Sequence, residues 1–265
     1  MLKGWAVSAL LFFTTVTVHA KYTIPDDRDV LTQFGTCHQE YLPAHFQVLV
    51  WNIKKGEAKA DWARDFEIFT PRSDLVLLQE SMIDNFVPAI ALRQKDFCWD
   101  FATSFLDGKD ATGVMNGGLT TPLSVQFLRS PGREPIANTP KMVILNEYVI
   151  ANSQETLLIA NIHGLNFVQN KLNREQILQV AAVLKKHTGP VIFAGDFNSW
   201  NQDRLAYLDE ILNPLGLQKL KFKNDNRRLK LDHIYVRGLT TVDTNIHHDI
   251  NSSDHKPLTA EFRLQ

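Results

Sequence analysis

Val191-Ile192-Phe193-Ala194-Gly195-Asp196-Phe197-Asn198-Ser199-Trp200 is the stretch on which the fold turns. Its first four residues are all apolar and rich in branched and aromatic side chains. They predict a short strand buried on both faces. Gly195 allows a close turn, and Asp196 and Asn198 stand where the strand ends. In α/β folds, ligands collect at the carboxyl ends of strands. A carboxylate and an amide two residues apart at such an end can share one site.

Working outward, residues 172–187 predict an amphipathic helix. Leu172, Ile177, Val180, Val183 and Leu184 recur at helical spacing, and Gly189-Pro190 ends it. A second helix is expected over 204–212. Residues 46–51 (FQVLVW) and 74–79 (DLVLLQ) read as buried strands ending at Asn52 and Glu80. Between them, 61–69 predicts a helix with Asp61 as N-cap and Trp62, Phe66 and Phe69 on one face. Residues 83–93 predict another helix, interrupted by Pro88. Strand character runs through 97–105, 123–127, 142–150, 156–162, 231–236 and 258–264. Residues 152–155 suggest a hairpin, and Gly113, Gly117 and Gly118 suggest a loop. Strands outnumber helices along the whole chain. Two packed sheets with helices outside fit this better than one doubly wound sheet.

The chain has 265 residues, 44% hydrophobic and 22% charged, with a net charge of −1. That is ordinary globular composition, and no global excess of positive charge marks a nucleic-acid binder, so any attraction to phosphate is local. Residues 1–20 have a positive start at Lys3, an uncharged apolar run, and Val18-His19-Ala20 before a cleavage point. They read as a signal peptide, since the run is shorter than the ~20 residues a spanning helix needs. Cleavage near Ala20 predicts an exported protein, periplasmic or secreted, with no membrane span remaining. Residues 21–45 read as an extended, irregular arm leading into one domain over 46–265. Cys37 and Cys98 can form one bridge in an oxidising compartment or stay as two buried thiols.

Polar residues gather at predicted strand ends: Asn52, Glu80, His163 with Asn166, Asp196 with Asn198, Asp232, and Asp254 with His255. Each alone has an ordinary structural reading, as a turn cap, a helix-terminal acid or a satisfied histidine. Their recurrence at the ends of separate elements is harder to explain that way. Carboxylates with amide oxygens suit a hard cation such as Mg²⁺ or Mn²⁺. Zinc spacing, a G-x-S-x-G elbow, a Walker A loop and a G-x-G-x-x-G turn are all absent. Two histidines with carboxylate partners beside a divalent cation can hydrolyse a phosphate ester.

The ordered set Trp51-Asn52, Gln79-Glu80, Asn161-Ile162-His163, Gly195-Asp196-Phe197-Asn198, Leu231-Asp232-His233-Ile234 and Ser253-Asp254-His255 resembles the endonuclease/exonuclease/phosphatase superfamily, the DNase I-like enzymes. VLVWNIKK, LVLLQE, NIHGLNF and GPVIFAGDFNSW are similar to its bacterial YafD-like branch. The resemblance covers about residues 46–264. It implies a four-layer α/β sandwich with the site at one edge of the two sheets. By the same resemblance Glu80 ligates the metal, with Asn52 and Asp254 nearby in its coordination or just outside it. Asp196 orients or deprotonates the attacking water. Asn198 donates to the phosphate, which Asn166 supports. His255, held by Asp232, contacts the phosphate or acts as base, so the base is either Asp196 or the His255–Asp232 pair. His163 stabilises or protonates the leaving oxygen.

Substrate class is less specified. Residues 219–230 (KLKFKNDNRRLK) hold six basic residues and one acid, either a phosphate-binding edge or a solvated loop. Lys54 and Lys55 can add to the same field. Trp200 and Phe167 could stack on bases, although core packing is the more ordinary expectation for each. The leading expectation is a metal-dependent phosphodiesterase with nucleic acid favoured. A lipid-headgroup phosphodiesterase or phosphatase is the second. Against the inositol-phosphatase branch, 231–234 lacks that group's Trp-Cys-Asp-Arg signature. A non-catalytic module binding a phosphate ligand is the third. No protein partner is predicted.

Overall fold

The structure, a computed structural model, describes residues 22–265. The signal peptide expected at residues 1–20 lies outside the described residues. No helix among those described is long and apolar enough to cross a membrane.

The strands are β1 (Tyr22–Thr23), β2 (Leu31–Gly35), β3 (His45–Asn52), β4 (Leu75–Ile83), β5 (Cys98–Asp107), β6 (Asp110–Gly118), β7 (Ser124–Arg129), β8 (Met142–Val149), β9 (Thr156–His163), β10 (Val191–Asp196), β11 (Gln218–Lys219), β12 (Asp232–Arg237), β13 (Leu239–Ile246) and β14 (Leu258–Leu264). The helices are α1 (Ala60–Phe69), α2 (Val87–Ala91), α3 (Asn170–Leu184) and α4 (Gln202–Leu212). One sheet runs β1-β5-β6-β4-β3-β14-β13, with β2 also on β5, and the other runs β11-β12-β10-β9-β8-β7.

Period-two alternation explains the layering. In β10, Ile192 and Ala194 enter the core between the sheets with Val48, Val50, Leu77, Ile159, Ile234 and Phe262. Phe193 points the other way, with Ile177, Val180 and Tyr207 of α3 and α4. On the outer face of the first sheet, Leu49, Trp51 and Trp99 pack against Trp62 and Phe66 of α1. The order is therefore helix, sheet, sheet, helix, the expected four-layer sandwich.

Among the described residues two strand pairings are parallel, β3 with β4 and β9 with β10. Helices α1 and α3 make the two crossovers. Asn52 lies level with Gln79 in one pair, and Asp196 lies level with His163 in the other. The carboxyl ends of both pairs meet at one edge of the sandwich, which places the site.

Several expectations change. The glycine-rich stretch 113–118 is not a loop but the buried strand β6. A Cβ on Gly117 would lie 2.2 Å from the Trp99 ring, and one on Gly113 would lie 2.0 Å from the Ala102 carbonyl. These glycines admit close neighbours instead of making a turn. The arm is not irregular: it supplies β1 and β2, both antiparallel to β5. The helix expected over 83–93 shrinks to α2, because β4 continues to Ile83 and Pro88 falls in the first turn, where its missing N–H costs nothing. Helix α1 begins after Lys59 with no side-chain cap, so Asp61 lies in its first turn. Strand β13, exposed along most of its length between buried Leu239 and Ile246, carried too weak an apolar pattern to be read.

Cys37 and Cys98 form a disulfide, 61 residues apart in sequence, joining the β2 exit to the start of β5. Reduction should raise the intact mass by about 2 Da, and Cys37→Ser with Cys98→Ser should cost about 2–4 kcal/mol in unfolding measurements. An unchanged mass on reduction would show that the bridge is not made.

Candidate active site

Strand β4 does not end at Glu80 but passes through it. Glu80 has φ 49°, and the register against β6 shifts between Leu78 and Ser81. A left-handed glutamate inside a strand is costly, and such bulges re-aim side chains. The Glu80 carboxylate thereby faces the second sheet, 3.7 Å from His163 Nε2. Asn52 Nδ2 joins the two sheets, reaching Asp196 Oδ2 at 3.1 Å and Glu80 Oε1 at 3.4 Å. Behind Glu80, Gln79 donates to Asn161 Oδ1 at 2.7 Å, and Asn161 Nδ2 returns bonds to the Leu78 and Met115 carbonyls and to Asn116. This buried amide network fixes the spacing of the sheets beneath the site.

Asp196 is buried at the end of β10, level with Asp232 at the start of β12. Gly195 has φ 130°, and a Cβ there would lie 2.2 Å from the Ile162 carbonyl, so only glycine brings β10 this close to β9 beside Asp196. Both Asp232 oxygens bond His255 Nδ1, at 2.9 and 3.0 Å. His255 Nε2 is left facing Asp196 Oδ2 at 4.0 Å. Burial and the neighbouring Asp232 charge push the Asp196 carboxyl well above the usual carboxylate range, with His255 opposing. Burial pulls His255 down, but Asp232, Asp196 and Asp254 outweigh it and raise its pKa, so the imidazolium is favoured. His163, 3.7 Å from Asp196 Oδ2, is held neutral by burial and by the charges of Lys141 and His255.

Seven of the nine sequence-predicted site residues converge: Asn52, Glu80, His163, Asp196, Asn198, Asp232 and His255. Asn198, at φ 51°, donates its backbone N–H to Asp196 Oδ1 and its side chain to the Gly164 carbonyl, each at 2.9 Å. Asp254 lies at the rim, largely exposed, with Oδ2 3.9 Å from Lys54 Nζ. Asn166 stays apart: its side chain accepts from the Phe167 N–H, and its own N–H bonds Glu134.

A divalent cation fits this arrangement. Glu80, Asp196 and Asp232 bring three carboxylates to one place, and burial together with the Asp232 charge raises the Asp196 pKa, a penalty on its charged form that a cation would relieve. Asp196, Asp232 and His255 also present ligand atoms within 4.8 Å of one another. That trio is committed to its own hydrogen bonds, whereas the Glu80 carboxylate is about one-third exposed and opens to solvent. Glu80 is therefore the better direct ligand. Asn52 Oδ1 accepts from the Lys54 N–H, so Asn52 turns its donor toward the carboxylates.

Sequence reasoning missed the groups that hold these residues in place. Ser253 Oγ donates to the Asn52 carbonyl at 2.7 Å. Ser199 Oγ pairs with His233 Nε2 at 2.7 Å, and burial lowers His233 to about 4. Arg204 matters most. It is fully buried, and Nη1 donates to the carbonyls of Asn198 and Leu165, Nη2 to that of Val168, and Nε to Asn170 Oδ1. It clamps together the loops that leave β9 and β10. The available signal was its helical position: Arg204 shares the buried face of α4 with Tyr207 and Leu208. Arg204→Ala would leave those oxygens without a donor and should cost about 3 kcal/mol or more, a melting shift of roughly 5–10 °C. A shift under 2 °C by calorimetry would remove Arg204 from this role.

Trp200 and Phe167, for which core packing was expected, are instead 44% and 74% exposed. Trp200 covers the Arg204 guanidinium, 4.8 Å from its ring centre. A buried cation below the ring replaces an apolar core contact.

Residues 49–255 match the Endonuclease/Exonuclease/phosphatase family. The chain belongs to this family. Its relatives include a UPF0294 protein of Vibrio campbellii, 32% identical over 98% of this chain and 97% of that protein. Among solved structures it resembles ANGEL2, a 2′,3′-cyclic phosphatase, at TM-score 0.64 and 15% identity, over 83% of this chain and 96% of that one. It also resembles the human nocturnin catalytic domain, at TM-score 0.63 and 17% identity, over 89% of this chain and 97% of that one. These likenesses establish the phosphoesterase fold of this Endonuclease/Exonuclease/phosphatase family member.

Proposed function

We propose that the protein is a divalent-metal-dependent hydrolase of phosphodiester bonds, acting on nucleic acid. The observation that carries this reading is the meeting of Asp196 with Glu80, His163 and the Asp232–His255 pair at one sandwich edge. Glu80 would hold Mg²⁺ or Mn²⁺, with Asn52 steering its carboxylate and Asp254 at the rim. The cation would stabilise charge on the phosphoryl oxygens as a Lewis acid.

The chain's own residues divide the remaining work. A carboxyl raised toward neutrality accepts a proton near working pH, so Asp196 takes the proton of the attacking water. His255 is surrounded by carboxylates that keep it charged, which makes it a phosphate-binding cation and a poor base. Asp232 accepts from Nδ1, fixes the ring's orientation and aims the Nε2–H at the substrate. Asn198 holds Asp196 at its angle through the backbone N–H. Neutral His163 donates a hydrogen bond to the leaving oxygen. Asn166 is the residue this scheme uses least.

ANGEL2, a 2′,3′-cyclic phosphatase, was solved with adenosine-2′,3′-vanadate, which supports a nucleotide phosphate ester here. Residues 1–20, read as a cleaved signal peptide, make this an exported enzyme whose mature chain begins near residue 21. The test is a panel of single-stranded DNA, RNA and sphingomyelin with Mg²⁺ or Mn²⁺. Cleavage of an oligonucleotide in preference to sphingomyelin is expected. Cleavage of sphingomyelin alone would move the substrate to lipid headgroups, and a wholly resistant panel would contradict the assignment.

A further inference from the structure

The basic segment 219–230 does not hang free. Leu220 and Phe222 pack on the inter-sheet core, so Lys219, Lys221 and Lys223 alternate outward. Beyond them Arg227 is almost buried. It bonds both oxygens of Asp225 at 2.9 and 3.1 Å and the Asp232 carbonyl at 3.1 Å. Ser199 Oγ donates to the Lys230 carbonyl at 2.9 Å, and His248 Nε2 meets the Asn224 carbonyl at 3.1 Å. The loop is thus braced at both ends and at its centre, against the elements that carry Asp196 and Asp232.

This bracing settles which cations are spent. Lys219 pairs with Asp209, Lys230 with Asp225, and Arg227 with Asp225 and Asp232. Lys221, Lys223 and Arg228 are exposed, and among the described residues their side chains meet no acid. Arg228 and Leu229 line a cavity of about 570 Å³ together with Asp232, Asp254, His255 and Lys256. The cavity opens directly from the reacting centre and has the volume of a ligand-sized site. Ordinary solvation explains lysines on an outward face. It does not explain a largely buried Asp225–Arg227 clamp beside an unpaired arginine that lines a cavity with the proposed phosphate-binding histidine.

We propose that this cavity and the free cations Arg228, Lys223 and Lys221 of the same loop bind the phosphates that neighbour the scissile one on a single-stranded polynucleotide. The inference rests on the phosphodiesterase reading and narrows its substrate to a chain of several phosphates. The free cations lie on one braced loop that turns at Asn224, with φ 58°, between Lys223 and Arg228, and a single loop of a few cations suits one backbone more than two. A concave, walled subsite suits a strand threaded past His255 better than it suits a flat lipid surface.

The test is fluorescence anisotropy of a labelled ten-nucleotide single-stranded DNA with the mature protein in EDTA, titrated from 50 to 200 mM salt. Arg228→Ala with Lys223→Ala should weaken binding about tenfold at 50 mM salt and flatten the log–log salt slope by about 1.4. Both residues are exposed and unpaired, so the fold is kept. Lys185→Ala with Lys186→Ala removes the same charge after α3, at the far end of β10 from the site, and should leave binding unchanged. Equal weakening by both double variants, no weakening by the first, or no binding by wild type would overturn the proposal. So would a first variant that loses only its binding to phosphatidylglycerol vesicles. DNA binding that depends on Arg228 without hydrolysis under any metal would fail the phosphodiesterase reading alone. Hydrolysis with Arg228-independent binding would fail the track alone.

Discussion

Asp196→Ala should lower phosphodiester turnover by about 10²–10⁴-fold, the usual range for a group that moves a proton or holds developing charge. His255→Ala should fall in the same range for a different reason. Asp196 is the carboxylate where both sheets converge, bonded by Asn52 Nδ2 and the Asn198 N–H. Its loss removes the proton acceptor, leaves the Asn198 N–H unpaired and leaves Asn52 Nδ2 only its longer bond to Glu80. Loss of His255 removes the cation between Asp232 and Asp196 and sets two carboxylates facing each other. Asp196→Asn keeps the hydrogen-bonding shape without the basicity, so it should be nearly as inactive while melting close to wild type. Activity within a few-fold of wild type in both alanine variants would remove these residues from the chemistry. The His255 pair also predicts a pH signature in metal-free protein. Its folded pKa is raised from 6.5. The stability it gives is therefore complete below about pH 6.5 and fades as pH rises through the raised value. His255→Ala should then destabilise more at pH 6 than at pH 10, and an equal loss at both would contradict the charged pair.

Removing the metal should abolish turnover, and Mg²⁺ or Mn²⁺ should restore it. The stronger reading is one that does not depend on activity. A ligand that binds only the folded state stabilises it by about 2.7 kcal/mol at a hundred times its Kd. For a domain of this size that raises the melting temperature by roughly 5–10 °C. Glu80→Gln keeps the volume of the side chain and removes its charge, so most of that shift should vanish. Asp254→Asn should lose less, because Asp254 lies at the rim against Lys54. A shift that survives Glu80→Gln but disappears in Asp232→Asn would move the cation to the Asp196–Asp232–His255 cluster.

Most of the frame was legible because buried strands announce themselves. The stretches around Val48, Leu77, Ile159 and Ile192 are apolar without interruption and are bounded by turn residues. All four became neighbours in the inter-sheet core. The site was legible because polar residues fell where those runs ended. Less visible was everything set by contact across the sandwich. Gly117 looked like a loop residue because no local pattern shows the Trp99 ring against it. The Glu80 bulge is a property of pairing with β6, not of the local sequence. Arg204 was hidden for a related reason: its partners are three backbone carbonyls, of residues 165, 168 and 198, and the side-chain amide oxygen of residue 170. The Asp225–Arg227 clamp could have been suspected from its spacing, but its contact with Asp232 could not.

The central claim is a metal-dependent phosphodiesterase centred on Asp196. Hydrolysis of bis-p-nitrophenyl phosphate by residues 21–265, with Mn²⁺ or with EDTA and beside Asp196→Ala, tests it most directly. Turnover that needs both the cation and Asp196 is the predicted result. Turnover unaffected by EDTA or by Asp196→Ala, or no turnover together with no Mn²⁺-induced melting shift, would contradict it.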